Sequence, residues 1–109
     1  MLTKEYHTYL KLERGLSPNS VAAYEQDLQR LTSYMEQHNI DIVKATYEDL
    51  QAFLFDTFQS ISSVRTQARL VAGVHSIYRF LLYHNYIQQD PSELLETPKK
   101  EHHLPDVLT

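Results

Sequence analysis

Apolar residues recur along this chain at intervals of three and four, the spacing of helices that pack through one side. The first such run covers about residues 2–14. Tyr6, Tyr9 and Leu10, with Glu13, share one side there, and Gly15 stands where a left-handed helix-ending residue is wanted. Ser17 then supplies a capping hydroxyl, and Pro18 occupies a first helical position, where a missing amide costs nothing. This predicts a second helix to about residue 38 with a stripe of Val21, Tyr24, Leu28, Leu31 and Met35; Ser20, Ala23, Asp27, Arg30 and Tyr34 fall on its opposite side. After a connection over residues 39–45, Thr46 and Asp49 form a capping-box pair that opens a third helix, buried through Leu50, Phe53, Leu54 and Phe58 and acidic on its back. The fourth and longest helix starts at Ser62 or Ser63 and ends near residue 85. Its apolar face holds Val64, Leu70, Val71, Val74, Ile77, Tyr78, Leu81 and Leu82.

One edge of that fourth helix is polar. Arg65, Arg69, Ala72, Ser76, Arg79 and Tyr83 repeat at fours and threes and so line up along the rod. Gly73 lies beside them in mid-helix, where glycine costs about 1 kcal/mol relative to alanine; close approach of a second helix or of a nucleic acid would account for it. Asp90-Pro91-Ser92 begins a short turn reaching Leu95, and residues 97–109 read as an extended linker and the start of something further.

Composition narrows the class. With 109 residues the chain has room for one domain, and 42% hydrophobic with 22% charged residues is ordinary for a folded one. Two glycines and four prolines punctuate the helices. The absence of cysteine leaves no disulfide framework or thiolate metal site, no signal-peptide pattern opens the chain, and no apolar run approaches the roughly 20 residues a bilayer crossing requires. The expectation is a soluble, cytoplasmic, all-α protein with no membrane contact. The net charge of −4 runs against nucleic-acid binding, where a basic surplus is usual. Its distribution changes that picture: residues 57–89 contain no carboxylate but include Arg65, Arg69 and Arg79, and residues 14–24 are likewise free of acid.

An enzyme is hard to assemble from these residues. There is no phosphate-cradling glycine loop, no Gly-x-Ser-x-Gly and no His-Glu-x-x-His. Of six histidines, His7, His38, His75 and His84 have no ligand partner at helical spacing, and His102 and His103 are adjacent in the linker. Surface or interface histidines are the plainer reading, and neither cofactor nor metal is expected. A binding surface assembles more readily. Arginines three or four residues apart on an exposed edge reach successive phosphates, Ala72, Gly73 and Ser76 allow a close approach, and Thr66 and Gln67 add neutral hydrogen bonds. The amides at the start of the second helix, beside Ser17, Asn19 and Ser20, form a second phosphate site. Both features have ordinary alternatives: arginines solvating a bundle helix, and a serine capping one. A helical protein-interaction module whose Arg65 to Tyr83 edge meets an acidic partner fits the same pattern, and a small histidine-dependent metalloenzyme is a third reading.

Four segments resemble a known family. Tyr9-Leu10-Lys11-Leu12-Glu13-Arg14-Gly15-Leu16-Ser17-Pro18-Asn19-Ser20 is followed by Tyr24 and Asp27-Leu28; then come residues 46–54, residues 63–83, and Asp90-Pro91 leading through Thr97-Pro98-Lys99 to Leu104-Pro105-Asp106-Val107-Leu108-Thr109. In order and spacing this resembles the tyrosine recombinases and integrases, the Xer-type enzymes in particular, over their N-terminal core-binding domain. The resemblance implies a four-helix orthogonal bundle of SAM-like type over residues 1–96 and a linker over 97–109 leading to a catalytic domain beyond the chain. It implies double-stranded DNA as partner, gripped on one face by the second and fourth helices. The DNA-facing residues would be Asn19, Ser20, Arg65, Thr66, Gln67, Arg69, Ser76 and Arg79. The family's nucleophilic tyrosine and its phosphate-binding cations would lie in the further domain, so no catalytic residue is expected among the eight tyrosines here. The parent would be a tetramer on DNA and the free fragment a monomer. His75 and Ser76 stand where Xer-type relatives often carry basic residues, so binding by this chain alone is expected to be weak and salt-dependent.

Overall fold

Local chemistry sets where each helix begins. In the computed structural model, which describes residues 2–95, helix α1 (Leu2–Thr8) continues into a π-helical turn, Tyr9–Glu13, closed by the Arg14 N–H donating to the Tyr9 carbonyl at 3.2 Å. The single α-helix expected over residues 2–14 is therefore widened in its second half. Tyr6, Tyr9 and Leu10 turn inward, whereas Glu13 faces solvent. Gly15 takes the left-handed conformation, with φ of 61°.

Helix α2 (Pro18–Gln37) starts at Ser17, whose Oγ accepts from the Ser20 N–H at 3.4 Å. A short 3-10 turn, Ile42–Lys44, is capped by Asp41. Helix α3 (Tyr47–Phe58) opens with both halves of the capping box: the Asp49 N–H donates to Thr46 Oγ1 at 3.2 Å and the Thr46 N–H to Asp49 Oδ2 at 2.9 Å. Helix α4 (Val64–Tyr83) takes Ser63 as its cap, the hydroxyl accepting from the Thr66 N–H at 3.3 Å. The described residues thus form four helices and no strand, as the apolar spacing predicts.

Helix α4 is the central rod. Leu70, Val71, Val74, Ile77, Tyr78, Phe80 and Leu81 are all buried, facing Leu28, Leu31 and Met35 of α2, Leu50 and Phe53 of α3, and the first helix in one shared core. Each such large side chain contributes roughly 1.5–3 kcal/mol through removal from water. Two expectations fail at the ends of the rod, where Val64 and Leu82 are exposed. Phe80 joins the core instead, its ring 5.2 Å from that of Tyr6 and 5.3 Å from that of Tyr9. Two buried phenols are satisfied across elements: Tyr6 donates to Ser76 Oγ at 2.9 Å, and Tyr78 donates to the Ile42 carbonyl at 2.8 Å. Burial pushes both hydroxyls well above the usual phenol range.

The chain then folds back onto α4. Asp90 Oδ1 accepts from the Ser92 N–H at 2.8 Å and from its hydroxyl at 2.6 Å, making the turn expected there. Ser92 is fully buried, 3.2 Å from His75 Nδ1, and His75 Nε2 lies 3.2 Å from the Leu95 carbonyl oxygen. The proposed boundary at residue 96 and the linker over 97–109 lie outside the described residues. No helix among the described residues is long and apolar enough to cross a membrane.

Candidate nucleic-acid interface

Helices α2 and α4 meet where Asp27 contacts Arg69 and the backbone at Gly73. Beyond α2, the Ile42 carbonyl receives the Tyr78 hydroxyl. Asn19 and Ser20 lie in the first turn of α2, and Arg65 and Thr66 in the first turn of α4. The carboxylate-free stretches of the sequence, residues 14–24 and 57–89, contain the start of α2 and the whole of α4.

Between the helices lies an ion pair. Nη2 of Arg69 is 2.6 Å from both Asp27 oxygens, and the guanidinium carbon sits 5.4 Å from the centroid of the Tyr24 ring. Asp27 is 3% exposed, whereas the Arg69 side chain is 41% exposed. The carboxylate fits because residue 73 has no side chain: a methyl group built there would lie 2.7 Å from Asp27 Cγ. Gly73 is thus explained by helix–helix approach. Burial pushes the Asp27 carboxyl up to about 6; the charge and hydrogen bond of Arg69, and the charge of Arg30, pull it down without cancelling that rise.

The eight residues expected to face DNA separate into three groups. Asn19, Arg65 and Thr66 are exposed near the helix starts, and Ser20 is half-buried, its Oγ accepting from the Ser17 hydroxyl at 3.2 Å. Arg69 reaches the surface from the α2–α4 junction. Arg79 is exposed along a separate depression bordered by Tyr47, Gln88, Asp90 and Glu93. The other two have commitments inside the protein. Gln67 is half-buried and donates from Nε2 to the Ile61 carbonyl at 2.7 Å, tying down the α3–α4 connection. Ser76 is 5% exposed and receives the Tyr6 hydroxyl.

The ridge from Arg65 to Tyr83 is corrected at one point: Ser76 is buried beneath α1, whereas Arg65, Arg69, Ala72, Arg79 and Tyr83 are exposed. The Tyr83 ring centroid also lies 5.6 Å from that of Tyr9. Asp27, expected on the outer side of α2, is instead buried against α4, while Tyr24 packs against the core as expected, half-buried, with its ring beneath the Arg69 guanidinium. Gly73 was the available signal, since a mid-helix glycine implies that something large or polar is pressed against it.

The described histidines have separate partners. His75 fastens the Ser92–Leu95 turn, His7 Nδ1 is 2.8 Å from Glu25 Oε2, and His84 lies among the rings of Tyr9, Phe80, Tyr83 and Tyr86. Among the described residues no three potential metal ligands converge.

Residues 3–85 match the family described as phage integrase, N-terminal SAM-like domain. Tyrosine recombinase XerD of Staphylococcus aureus is 33% identical over 111 residues, an alignment covering 98% of this chain and 37% of that protein. Tyrosine recombinase XerD of Staphylococcus epidermidis is 35% identical with the same coverage. The chain thus spans little more than a third of the length of these relatives. No solved structure matches it.

Proposed function

Because this chain belongs to the family of phage integrase N-terminal SAM-like domains, we propose that it is the DNA-binding domain of a tyrosine site-specific recombinase and grips one face of the recombination-site duplex during strand exchange. The observation that carries this reading is the close approach of α2 and α4 at Asp27, Arg69 and Gly73, on two helices that expose Asn19, Arg65, Thr66 and the Arg69 guanidinium and whose acid-free stretches hold the start of α2 and all of α4. Asp27, buried between the helices, is paired with Arg69. Side chains and amides of this kind position a duplex through its phosphates. Arg79 is assigned to the flank of the contact; Gln67 and Ser76 are assigned to holding the helices that present it.

The rest of the parent follows from the same reading. Residues 1–96 form the clamp and 97–109 the linker to a catalytic domain, which carries a tyrosine that attacks a DNA phosphate and becomes 3′-phosphotyrosine. The parent acts in the cytoplasm as a tetramer on DNA, the free fragment is a monomer, and the fragment itself has no enzymatic activity.

The test is a titration of a fluorescently labelled duplex with the 109-residue chain at about 50 mM and about 200 mM salt. The expected result is weak binding at the lower salt, reduced severalfold or more at the higher. An absence of binding at the lower salt overturns the reading.

A further inference from the structure

The geometry of the Asp27–Arg69 pair bears on which atoms are left to meet DNA. The two carboxylate oxygens share one carbon and lie at equal distances of 2.6 Å from Nη2, so they subtend a narrow angle there. One N–H directed between them serves both. A guanidinium has two parallel-donor forks, Nε with Nη2 and Nη1 with Nη2, and each uses a different hydrogen of Nη2. Whichever hydrogen Asp27 takes, the other fork stays complete. Arg69 is 41% exposed, so the free fork has access to solvent.

The side chain is also held. Asp27 grips it from the buried side and the Tyr24 ring lies 5.4 Å from its guanidinium carbon. A long side chain fixed in advance loses less rotamer freedom when it binds. The pair is electrically neutral as a unit, which separates two partners for the fork. A phosphate would meet the nearby carboxylate's repulsion and gain little from counterion release. The major-groove edge of guanine, with N7 and O6 as uncharged acceptors at fork spacing, meets neither obstacle.

We propose that Asp27 is a specificity-determining positioning residue: it holds Arg69 so that the remaining fork reads the major-groove edge of a guanine in the bound duplex. This rests on the DNA-binding reading above and adds to it a division of labour. Arg69 selects sequence, while Arg65 and the helix starts hold the backbone.

The experiment uses the 109-residue chain with a pool of randomised-sequence duplexes, sequenced after selection, followed by titrations of the selected duplex, its guanine-to-adenine variant and the unselected pool. The wild-type chain is expected to enrich one G·C pair and to prefer guanine over adenine there by about tenfold. Arg69→Lys keeps the charge and removes the fork; preference at that pair should vanish while affinity for the unselected pool and its salt dependence stay the same. Asp27→Asn, close in shape, should also lose the preference and yet bind the unselected pool more tightly, because a carboxylate charge has been removed near the duplex. A merely structural role would lower both affinities together.

Retention of the guanine preference in Arg69→Lys overturns the proposal, as does its retention in folded Asp27→Asn. If Asp27→Asn does not fold, Arg69→Lys decides alone. Binding of the pool by the wild-type chain with no positional preference overturns this proposal and leaves the DNA-binding reading standing; failure to bind the pool at low salt overturns both.

Discussion

Gly73 and Asp27 are one structural decision made at two residues. A Gly73→Ala substitution adds helix propensity worth about 1 kcal/mol, but its methyl group would have to displace the Asp27 carboxylate. The steric and electrostatic loss should win, and the net expectation is a destabilisation of roughly 1–3 kcal/mol in urea unfolding. Asp27 also gives a pH signature of definite sign. Its carboxyl rises from the ordinary 3.8 to about 6 in the folded protein, so the folded state binds the proton more tightly than the unfolded one. The site's contribution to stability is therefore fully present below about pH 4 and is lost as the pH climbs through about 6. Thermal unfolding of the wild-type chain against Asp27→Asn should show that decline only in the wild type; parallel curves for the two would refute it. None of this was readable from α2 alone. Asp27 stands four residues before Leu31, on the flank of the apolar stripe, and that flank is interior only because α4 comes close enough at Gly73 to enclose it. Ser76 is a similar case, since a small polar residue suits open solvent and a buried phenol equally well.

At the scale of elements, helix starts were legible because a cap is a local event. Ser17, Thr46 with Asp49, and Ser63 each satisfy amides within three residues. Thr46→Ala should cost about 1 kcal/mol, measurable by chemical denaturation. The docking of α1 was not legible, because it depends on a π-helical turn and on a hydrogen bond between residues 70 positions apart. Removing the Tyr6 hydroxyl leaves the buried Ser76 Oγ without its donor. Tyr6→Phe is expected to lose about 1–2 kcal/mol, and the further change Ser76→Ala to add much less than it does in the wild-type background. A full additive loss in the double variant would show that the two hydroxyls act separately. The turn over residues 90–95 was foreseen from Asp90-Pro91-Ser92, but its attachment through His75 was not, since nothing in the sequence marks which histidine a returning chain will reach.

For the molecule as a whole, the −4 total charge and the binding reading are compatible because charge is segregated: acid is absent from the start of α2 and from the whole of α4. Attraction to DNA then rests on few cations, and each should be visible in the salt dependence. Arg65→Ala is expected to reduce the salt slope of duplex binding by roughly one, with little effect on stability because the residue is exposed at the start of α4. An unchanged slope would place Arg65 off the contact. The all-helical class and the helix order were plain from apolar spacing. The shape of the contact was not, because a repeat along one rod cannot say which other rod lies across it.

The placement of the first segment has a practical consequence for anyone expressing this protein. Tyr6, Tyr9 and Leu10 occupy interior volume, the two tyrosines against the second half of α4. A reading frame opened a dozen codons late would still encode every cap from Ser17 onward, yet its product would leave Phe80 and Ser76 uncovered. Such a product should be recovered as aggregate or bind hydrophobic dyes, and the choice of initiation codon would then decide whether a soluble sample exists at all.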